Sequence, residues 1–243
     1  MRIFAIADLH LSFNKDVTLY DIDAEKDQYK PMDVFCGWER HFDKIRDNWL
    51  QSVSENDTVL IPGDISWAMK LEQAVHDFRW IHQLPGRKVM SPGNHCYYVT
   101  TKKKIRSVLP ESMEWIDGDY TLVGDYVVVA TRGWILPQDA DWDETYDRKI
   151  HDRQVGRLNL ALESARKDHP ERPVIAMLHY PPLTTYAPDS DFFHVLKQYD
   201  VELCLYGHLH GNAHRTAING EVDGIELRLV SCDYLNFNLL RVR

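Results

Sequence analysis

Five short segments of this chain carry side chains that bind metal ions well. In chain order they are Asp8-Leu9-His10, Gly63-Asp64, Gly93-Asn94-His95, His179 and Gly207-His208-Leu209-His210. Each segment follows a short apolar run of the kind that forms a β-strand. Any one of these motifs alone is common in turns, but all five stand at the end of a predicted strand. Because ligands of open α/β sheets bind beyond the carboxyl ends of the strands, we expect the five segments to meet in space.

The ligand-grade side chains that would meet there are two aspartates, one asparagine and four of the five motif histidines. Oxygen and imidazole donors without a thiolate suit Mn, Fe, Zn or Ni, with Mg also possible. Seven donors are too many for one ion but fit two ions about 3.5–4 Å apart that share a carboxylate. Such a pair holds phosphoryl oxygens and generates hydroxide at neutral pH. The sequence therefore predicts a binuclear site for two divalent or trivalent metal ions.

The elements that must position these side chains alternate between strand and helix patterns. The apolar runs before the five motifs are residues 3–7, 58–61, 88–90, 174–178 and 201–206, and residues 126–130 form a sixth. Apolar residues recur every three or four positions over 38–53, 71–84 and 150–165, which predicts amphipathic helices. Residues 211–224 instead alternate and contain the turn pairs Asn219-Gly220 and Asp223-Gly224, which predicts antiparallel pairing at one edge.

In this order the five motifs resemble those of the calcineurin-like metallophosphoesterase superfamily, over residues 8–210. Segments 65–69 and 231–237 further resemble an uncharacterised bacterial branch of predicted phosphohydrolases. The resemblance implies an α/β fold, a layered sandwich of two mixed β-sheets flanked by helices. With 243 residues, 44% of them hydrophobic, the chain is long enough to form a single such domain over residues 1–243.

The resemblance also implies a role for each motif residue. The ligands of the first metal ion would be Asp8, His10 and His210. Those of the second would be Asn94, His179 and His208, with Asp64 bridging the two ions. His95 would not be a ligand but the catalytic residue, which binds a phosphate oxygen or protonates the leaving alkoxide. Its ordinary pKa near 6.5 suits either role, and the metals would supply the attacking hydroxide.

Two positions depart from patterns seen in the superfamily. Cys96 stands directly after the Gly-Asn-His motif, where many relatives carry an acidic residue, so the partner that orients His95 must come from elsewhere. Protein Ser/Thr phosphatases carry an Asp and an Arg just after the Gly-Asp motif, whereas this chain has Ile65-Ser66-Trp67. The sequence therefore disfavours a phosphoprotein phosphatase.

The most concrete functional prediction is hydrolysis of a phosphoric ester by metal-bound hydroxide with assistance from His95. The missing phosphatase residues favour a small phosphodiester or nucleotide-like substrate over a phosphomonoester. A phosphomonoesterase, or a metal-stabilised binding scaffold without turnover, remains the alternative. Four aromatic residues near the motifs are either packing residues or surfaces on which a base stacks, namely Trp67, Tyr97, Tyr98 and Trp134.

The charge of the chain limits its partners. The net charge of −9 disfavours long nucleic acid, which basic surfaces bind. The one compact basic run, residues 102–106, reads as a solvated helix face or as a group that attracts an anionic substrate. Arg132 either binds a substrate phosphate through two parallel hydrogen bonds or forms a structural ion pair. We therefore expect a small phosphorylated substrate, and the sequence leaves the oligomeric state open.

The remaining features point to a cytoplasmic protein that does not engage a membrane. No signal peptide or membrane-spanning run is recognisable. The four cysteines lack zinc-type spacing and read as reduced, mostly buried thiols. Residues 14–37 and 139–149 are long polar connections, either solvated loops or a rim above the site. His214 and the other histidines outside the motifs are expected to be ordinary surface or core residues.

Overall fold

A computed structural model describes all residues 1–243. Eleven strands follow one another along the chain. They are β1 (Ile3–Ala5), β2 (Thr58–Pro62), β3 (Arg87–Ser91), β4 (Met113–Trp115), β5 (Asp119–Val123), β6 (Tyr126–Thr131), β7 (Val174–Leu178), β8 (Leu203–Tyr206), β9 (Gly220–Val222), β10 (Ile225–Leu229) and β11 (Leu240–Arg241). The five α-helices are α1 (His41–Ser52), α2 (Leu71–His82), α3 (Lys102–Arg106), α4 (Asp147–Asp168) and α5 (Asp191–Gln198).

The strands form two mixed sheets. The first has the order β11-β1-β2-β3-β4 and the second has the order β5-β6-β7-β8-β10-β9. Strands β1 to β4 run parallel, as do β6, β7, β8 and β10, while β11, β5 and β9 are antiparallel strands at the edges. The five strands that precede the metal-ligand motifs are therefore parallel within their own sheets. Their carboxyl ends meet at one edge of the sandwich.

Three apolar clusters hold four layers together. Buried residues of both sheets, such as Leu60 of β2 and Met177 of β7, form the layer between the sheets. On the outer face of the first sheet, α1 and α2 bury large rings that include Trp49 and Phe78. On the outer face of the second sheet, α4 and α5 pack side chains such as Leu158. This helix-sheet-sheet-helix arrangement confirms the predicted layered α/β sandwich.

The helical periodicity predicted the three longer helices, with ends that differ by a few residues. The first begins at His41 rather than residue 38, because Arg40 has a left-handed backbone (φ 45°) that interrupts the helical turn. The third extends from Asp147 to Asp168, beyond the predicted 150–165, since its polar end turns lack the apolar stripe. None of these helices combines the length and the apolar character that crossing a bilayer requires.

The prediction for residues 211–224 is wrong in its first half. Gly211–Thr216 forms a 3-10 helix, and only the Asp223-Gly224 turn joins antiparallel strands, β9 and β10. Gly220 lies within β9 instead of forming a turn with Asn219. The local reason is a pair of histidines, because His210 and His214 both reach the carboxylate of Asp233 and so curl the segment between them.

Candidate metal centre

The five motif segments converge where the two sheets face each other. Strands β1, β2 and β3 of the first sheet deliver the segments at Asp8, Asp64 and Asn94. Strands β7 and β8 of the second sheet deliver those at His179 and His208. All seven predicted ligand side chains lie in one cluster, as the strand-end pattern predicts. Their roles on individual ions stay predictions.

Four of these residues have a left-handed backbone that non-glycine residues seldom adopt. The φ angles are 61° at Asp8, 45° at His10, 47° at Asp64 and 72° at His208. Each such residue costs roughly 1–2 kcal/mol of backbone free energy. Strain of this kind accumulates at functional sites, where the surrounding structure holds it in place. Here it turns the side chains of three separate loops toward a common point.

The first ligand set brings together Asp8, His10 and His210. The Nε2 atoms of the two histidines are 3.4 Å apart, and Nε2 of His210 is 3.6 Å from Oδ1 of Asp8. These donor atoms lie close enough together to bind one ion. On its other side, Nδ1 of His210 donates a hydrogen bond to Asp233 at 2.8 Å. The carboxylate thereby holds the proton of Nδ1 and turns Nε2 toward His10.

The second ligand set surrounds the side-chain oxygen of Asn94. This Oδ1 atom lies 2.6 Å from Nε2 of His179 and 3.0 Å from Nδ1 of His208. The same Nε2 atom is 3.4 Å from Oδ2 of Asp64. Nδ1 of His179 donates to the carbonyl of Pro62 at 3.2 Å, so it is not free to bind metal. For this reason Asp64, rather than Asp8, shares the metal-binding side of His179.

The donor atoms of both sets suit metal ions. Nδ1 of His179 and Nδ1 of His210 each donate to an acceptor outside the cluster, which turns the Nε2 atoms toward Asn94 and His10. A metal ion would replace the protons at these Nε2 atoms, and the mixture of carboxylate, amide and imidazole donors fits Mn, Fe, Zn or Ni. The residues present therefore fit a metal centre.

Burial and neighbouring charges shift the pKa values of these groups in opposite directions. Burial lowers the pKa of His10 to about 4 and that of His208 to about 3, so both imidazoles are neutral and able to bind metal. Burial also acts on His210, but Asp8 and Asp233 outweigh it and raise its pKa to about 10. The carboxyl pKa of Asp64 is lowered, because His179 outweighs burial. Metal and protons therefore compete at His210, and metal binding releases protons there.

Two motif glycines are required because the loops approach each other closely. A Cβ on Gly207 would lie 2.6 Å from Oδ2 of Asp8, and one on Gly93 would collide with the side chain of Asp64. Distances this short do not occur between real atoms, so any larger residue displaces the carboxylate. Glycine is therefore needed at both positions because it lets the loops approach closely, not because it makes them flexible.

His95 lies beside the ligands and has a partner that the sequence did not identify. The Tyr97 hydroxyl is 3.2 Å from its Nδ1 atom, and its ring centroid is 4.2 Å from that of Trp67. Its backbone N–H donates to Asp64 at 2.8 Å. Burial lowers the pKa of His95, with Asp64 acting in the opposite direction. An anionic substrate beside the ring would raise that pKa and favour the protonated form.

Cys96 holds this loop in the place of an acidic residue. Its Sγ atom accepts hydrogen bonds from the backbone N–H of Gly93 at 3.3 Å and from the Tyr98 hydroxyl at 3.4 Å. Burial raises the pKa of the thiol to about 11, so it stays neutral. Tyr98 is itself buried in the core, which excludes it as a stacking surface for a substrate. The thiol therefore closes the Gly-Asn-His turn, while Tyr97 orients the histidine.

Sequence reasoning missed Asp233 and the role of His214. Asp233 accepts hydrogen bonds from His210 and the N–H of Gly211, and lies 3.2 Å from Nε2 of His214. His214 thus lies beside the carboxylate that supports a ligand, without a hydrogen bond from its Nε2 atom. The only sequence signal for Asp233 was indirect, namely the resemblance of segment 231–237 to a bacterial branch of predicted phosphohydrolases. An aspartate 23 residues from its histidine has no local signature.

Two further buried groups hold the ligand loops. The carboxyl group of Asp77 on α2 accepts a hydrogen bond from the N–H of Phe13 at 2.8 Å and also contacts the hydroxyl of Ser66. It therefore joins the loop after β1 to the loop after β2. His41 donates from Nε2 to the carbonyl of Leu9 at 3.0 Å, between two predicted ligands. Both helices on this face thus reach the metal centre through one polar side chain.

Arg132 lies outside the ligand cluster. It lines a cavity of about 360 Å³ together with Gly93, Cys96 and Arg157. Its guanidinium stacks on Trp134, 4.4 Å from the ring centroid, and has no carboxylate partner. The expected structural ion pair is therefore wrong, whereas a phosphate contact stays a prediction. The basic run at α3 is less free, since Lys102 and Arg106 both pair with Asp119.

One comparison with known proteins agrees with the motifs. The model of one family, the calcineurin-like phosphoesterases, matches residues 1–212. Among solved structures, a protein of unknown function, AQ665 from Aquifex aeolicus, aligns over 98% of this chain and 94% of its own at 17% identity and a TM-score of 0.46. The search of curated proteins found no match.

Proposed function

Since the chain belongs to the calcineurin-like phosphoesterase family and is a metal-dependent phosphoesterase, we propose that its substrate is a small phosphodiester or nucleotide-like molecule. The observation that carries this proposal is a cavity beside each ligand set. One cavity, of about 600 Å³, is lined by His10 and His210 of the first set and by the neighbouring His95. The other, of about 430 Å³, is lined by His208 of the second set with Tyr180 and Trp134. A diester has two organic groups, and each cavity has room for one.

The ligand assignment within this proposal is the one that the family resemblance implies. Asp8, His10 and His210 would hold one ion, and Asn94, His179 and His208 would hold the other, with Asp64 between them. Ions bound there would polarise the phosphoryl oxygens and lower the pKa of water. Asp233 orients His210 and the carbonyl of Pro62 orients His179, so both rings present one fixed nitrogen. These contacts support a site formed before substrate arrives.

His95 has the position of a general acid in this reaction. It lines the larger cavity without belonging to either ligand set, and Tyr97 and Trp67 hold its ring. In hydrolysis, water adds to phosphorus and loses one proton to solvent, while the bond from phosphorus to the leaving oxygen breaks. That oxygen takes the proton of His95. Arg132 is retained as a candidate phosphate contact, because its guanidinium has no carboxylate partner.

The proposal is tested by hydrolysis assays on metal-stripped protein reconstituted with Mn, Fe, Zn, Ni or Mg. Substrates are a nitrophenyl phosphodiester, its monoester and an alkyl diester of comparable size. We expect metal-dependent turnover with preference for diesters. Preference for the monoester would overturn the substrate class. Absence of turnover with every metal, despite bound ions, would favour a binding scaffold.

Two variants separate metal binding from proton transfer. Asp64→Asn is expected to lower metal content and activity together, because it removes the bridging charge. His95→Ala is expected to keep the metal content and to reduce turnover by about 10²–10⁴-fold for the alkyl diester. The loss should be smaller for the nitrophenyl ester, whose leaving group departs without protonation. Equal metal loss in both variants would overturn the role of His95.

We also place this activity in the cytoplasm. All four cysteines are free thiols, and three of them, Cys96, Cys204 and Cys232, are buried. Reduced thiols are typical of compartments that glutathione and thioredoxin keep reducing. Fractionation of the native cell, with detection of the protein by antibody, tests this location.

A further inference from the structure

The larger cavity, beside the first ligand set, has a largely aromatic lining. Four aromatic side chains surround it, from Phe35, Trp38, Trp67 and Phe237, together with the thioether of Met32. No lysine or arginine is among its lining residues. Two lysines contact its aromatic walls from outside this lining, with Nζ of Lys30 3.3 Å from the ring centroid of Trp67 and Nζ of Lys44 4.9 Å from that of Phe237. The cavity therefore suits a largely apolar, aromatic part of the substrate.

The position of His95 indicates which organic group of the ester the aromatic cavity binds. His95 lines this cavity and is absent from the lining of the cavity beside His208. A leaving oxygen that takes the proton of His95 must lie within hydrogen-bond reach of the ring. The group attached to that oxygen then extends into the aromatic cavity. The group that stays on phosphorus is left on the side of His208.

We propose that the aromatic cavity binds the leaving alcohol of a phosphodiester, and that this alcohol carries a planar ring, as a nucleoside or another aryl alcohol does. The inference rests on the proposed function and adds to it the identity and orientation of the leaving group. Hydrolysis then releases the aromatic alcohol, and the other organic group remains as a phosphomonoester.

Two observations favour a planar ring over an aliphatic chain. Phe35 is 54% exposed at the cavity, so one face of its ring is free to stack on a ligand. Phe237 is held at its position by a left-handed backbone (φ 61°), preceded by Asn236 at φ 51°. A bulky residue seldom adopts this conformation, and its ring packs edge-to-face on Trp38 at 5.3 Å. The strained turn therefore fixes the ring of Phe237 as one wall of the cavity that Phe35 also lines.

An unsymmetrical diester tests the orientation directly. In 2-(2-naphthyl)ethyl methyl phosphate both alcohols are primary and alkyl, so chemistry alone gives little preference between them. We expect the metal-loaded protein to release naphthylethanol and methyl phosphate in at least tenfold excess over methanol and naphthylethyl phosphate. Release of methanol as the main product, or of both alcohols equally, would overturn the proposal while leaving the phosphodiesterase activity established. Absence of turnover for every diester would instead overturn the proposed function and this inference together.

Further substrates distinguish the sources of the ring. Octyl methyl phosphate supplies an apolar chain without a ring, and adenosine 5′-(methyl phosphate) supplies a nucleoside. The value of kcat/KM for the naphthyl diester is expected to exceed that for the octyl diester about tenfold, and equal values would overturn the requirement for a ring. Adenosine released faster than naphthylethanol identifies a nucleoside as the source, and the reverse identifies another aryl alcohol.

Neighbouring substitutions provide matched variants. Phe35→Ala removes the exposed ring from the cavity, whereas Val34→Ala changes a side chain that is 78% exposed and does not line it. We expect Phe35→Ala to lower kcat/KM for the naphthyl diester about five- to tenfold relative to the octyl diester. Val34→Ala is expected to leave the ratio unchanged. Equal effects of the two substitutions would overturn the role of the aromatic cavity.

Discussion

At the scale of single residues, Asp233 orients the predicted metal ligand His210 without being a predicted ligand itself. Its carboxylate fixes the tautomer of His210 from the side away from the ion. Such partners typically contribute 10–100-fold to metal affinity. We therefore expect Asp233→Asn to weaken metal binding by about that factor, measured by calorimetric titration of stripped protein.

Asp223→Asn provides the control for this experiment. Asp223 is an aspartate in the turn between β9 and β10 whose carboxylate pairs with Lys197 at 2.6 Å. The same change of charge at this position is expected to leave metal affinity unaltered. Equal affinities of the Asp233 variant and the wild type would show that His210 needs no partner to bind metal.

Tyr97 is a positioning residue for His95. Tyr97→Phe keeps the ring and removes the hydroxyl that contacts Nδ1. A hydrogen bond of this kind contributes about 0.5–1.5 kcal/mol, which corresponds to roughly a two- to tenfold decrease in kcat. Metal content should stay unchanged, and the decrease should be larger for alkyl than for nitrophenyl leaving groups. Tyr20→Phe, at an exposed ring, is the control. An identical decrease for both leaving groups would contradict a role in proton transfer.

At the scale of elements, α2 is joined to the ligand loops by a carboxyl group that burial keeps protonated. The pKa of Asp77 is raised from 3.8 to about 7 because the group is buried, although Ser66 and Phe13 act in the opposite direction. The folded state therefore holds this proton at pH values where the unfolded chain has lost it. The stabilisation is complete below about pH 4, declines as pH rises and is lost above about pH 7.

Asp77→Asn is expected to remove this pH dependence, because the amide resembles the protonated acid and does not titrate. Between pH 5 and pH 8 the wild type should lose about 3 kcal/mol more unfolding free energy than the variant. Urea unfolding of metal-free protein at both pH values measures the difference. An equal loss in the two proteins would show that the Asp77 carboxyl group does not carry the linkage.

Local patterns predicted those elements whose stability is decided locally. Strand β7 has the predicted bounds. Its five residues are all apolar and all buried, and a short continuous apolar run is the pattern of a strand covered on both faces. The 3-10 helix at Gly211–Thr216 was missed, since its curl depends on Asp233, a contact distant in sequence. The ligand cluster itself was predictable because strand ends repeat one pattern. The aromatic cavity was not, since Phe35 and Phe237 meet only after folding.

At the scale of the whole molecule, the metal centre joins the two sheets. The first sheet contributes Asp8, His10, Asp64 and Asn94, and the second contributes His179, His208 and His210. Ions bound by both groups stabilise the folded state only, because the ligands are far apart in the unfolded chain. Metal should therefore stabilise the sandwich as well as the site.

We expect Tm to rise with metal concentration. At a free metal concentration 100 times Kd, the gain is about 2.7 kcal/mol, or roughly 5–10 °C for a chain of this size. Differential scanning calorimetry with and without chelator measures it. Asp64→Asn should show little of this dependence, and a full Tm shift in that variant would contradict the bridging position.

We also propose that residues 1–243 form one domain, since strands of both sheets pack on a shared apolar layer between them. A single calorimetric transition is expected with metal bound. Two transitions would instead indicate two units that unfold separately, one around each sheet.

The left-handed backbone of Asp8, His10, Asp64 and His208 has a consequence for how this protein can evolve. Glycine adopts that conformation without strain, so replacement of a ligand by glycine relieves backbone energy while it removes a metal donor. The stability of the metal-free chain and the activity are therefore opposed at these four positions. Under selection for the stability of metal-free protein alone, the ligand positions would be among the first to change. Keeping the four non-glycine residues requires continued selection for metal binding.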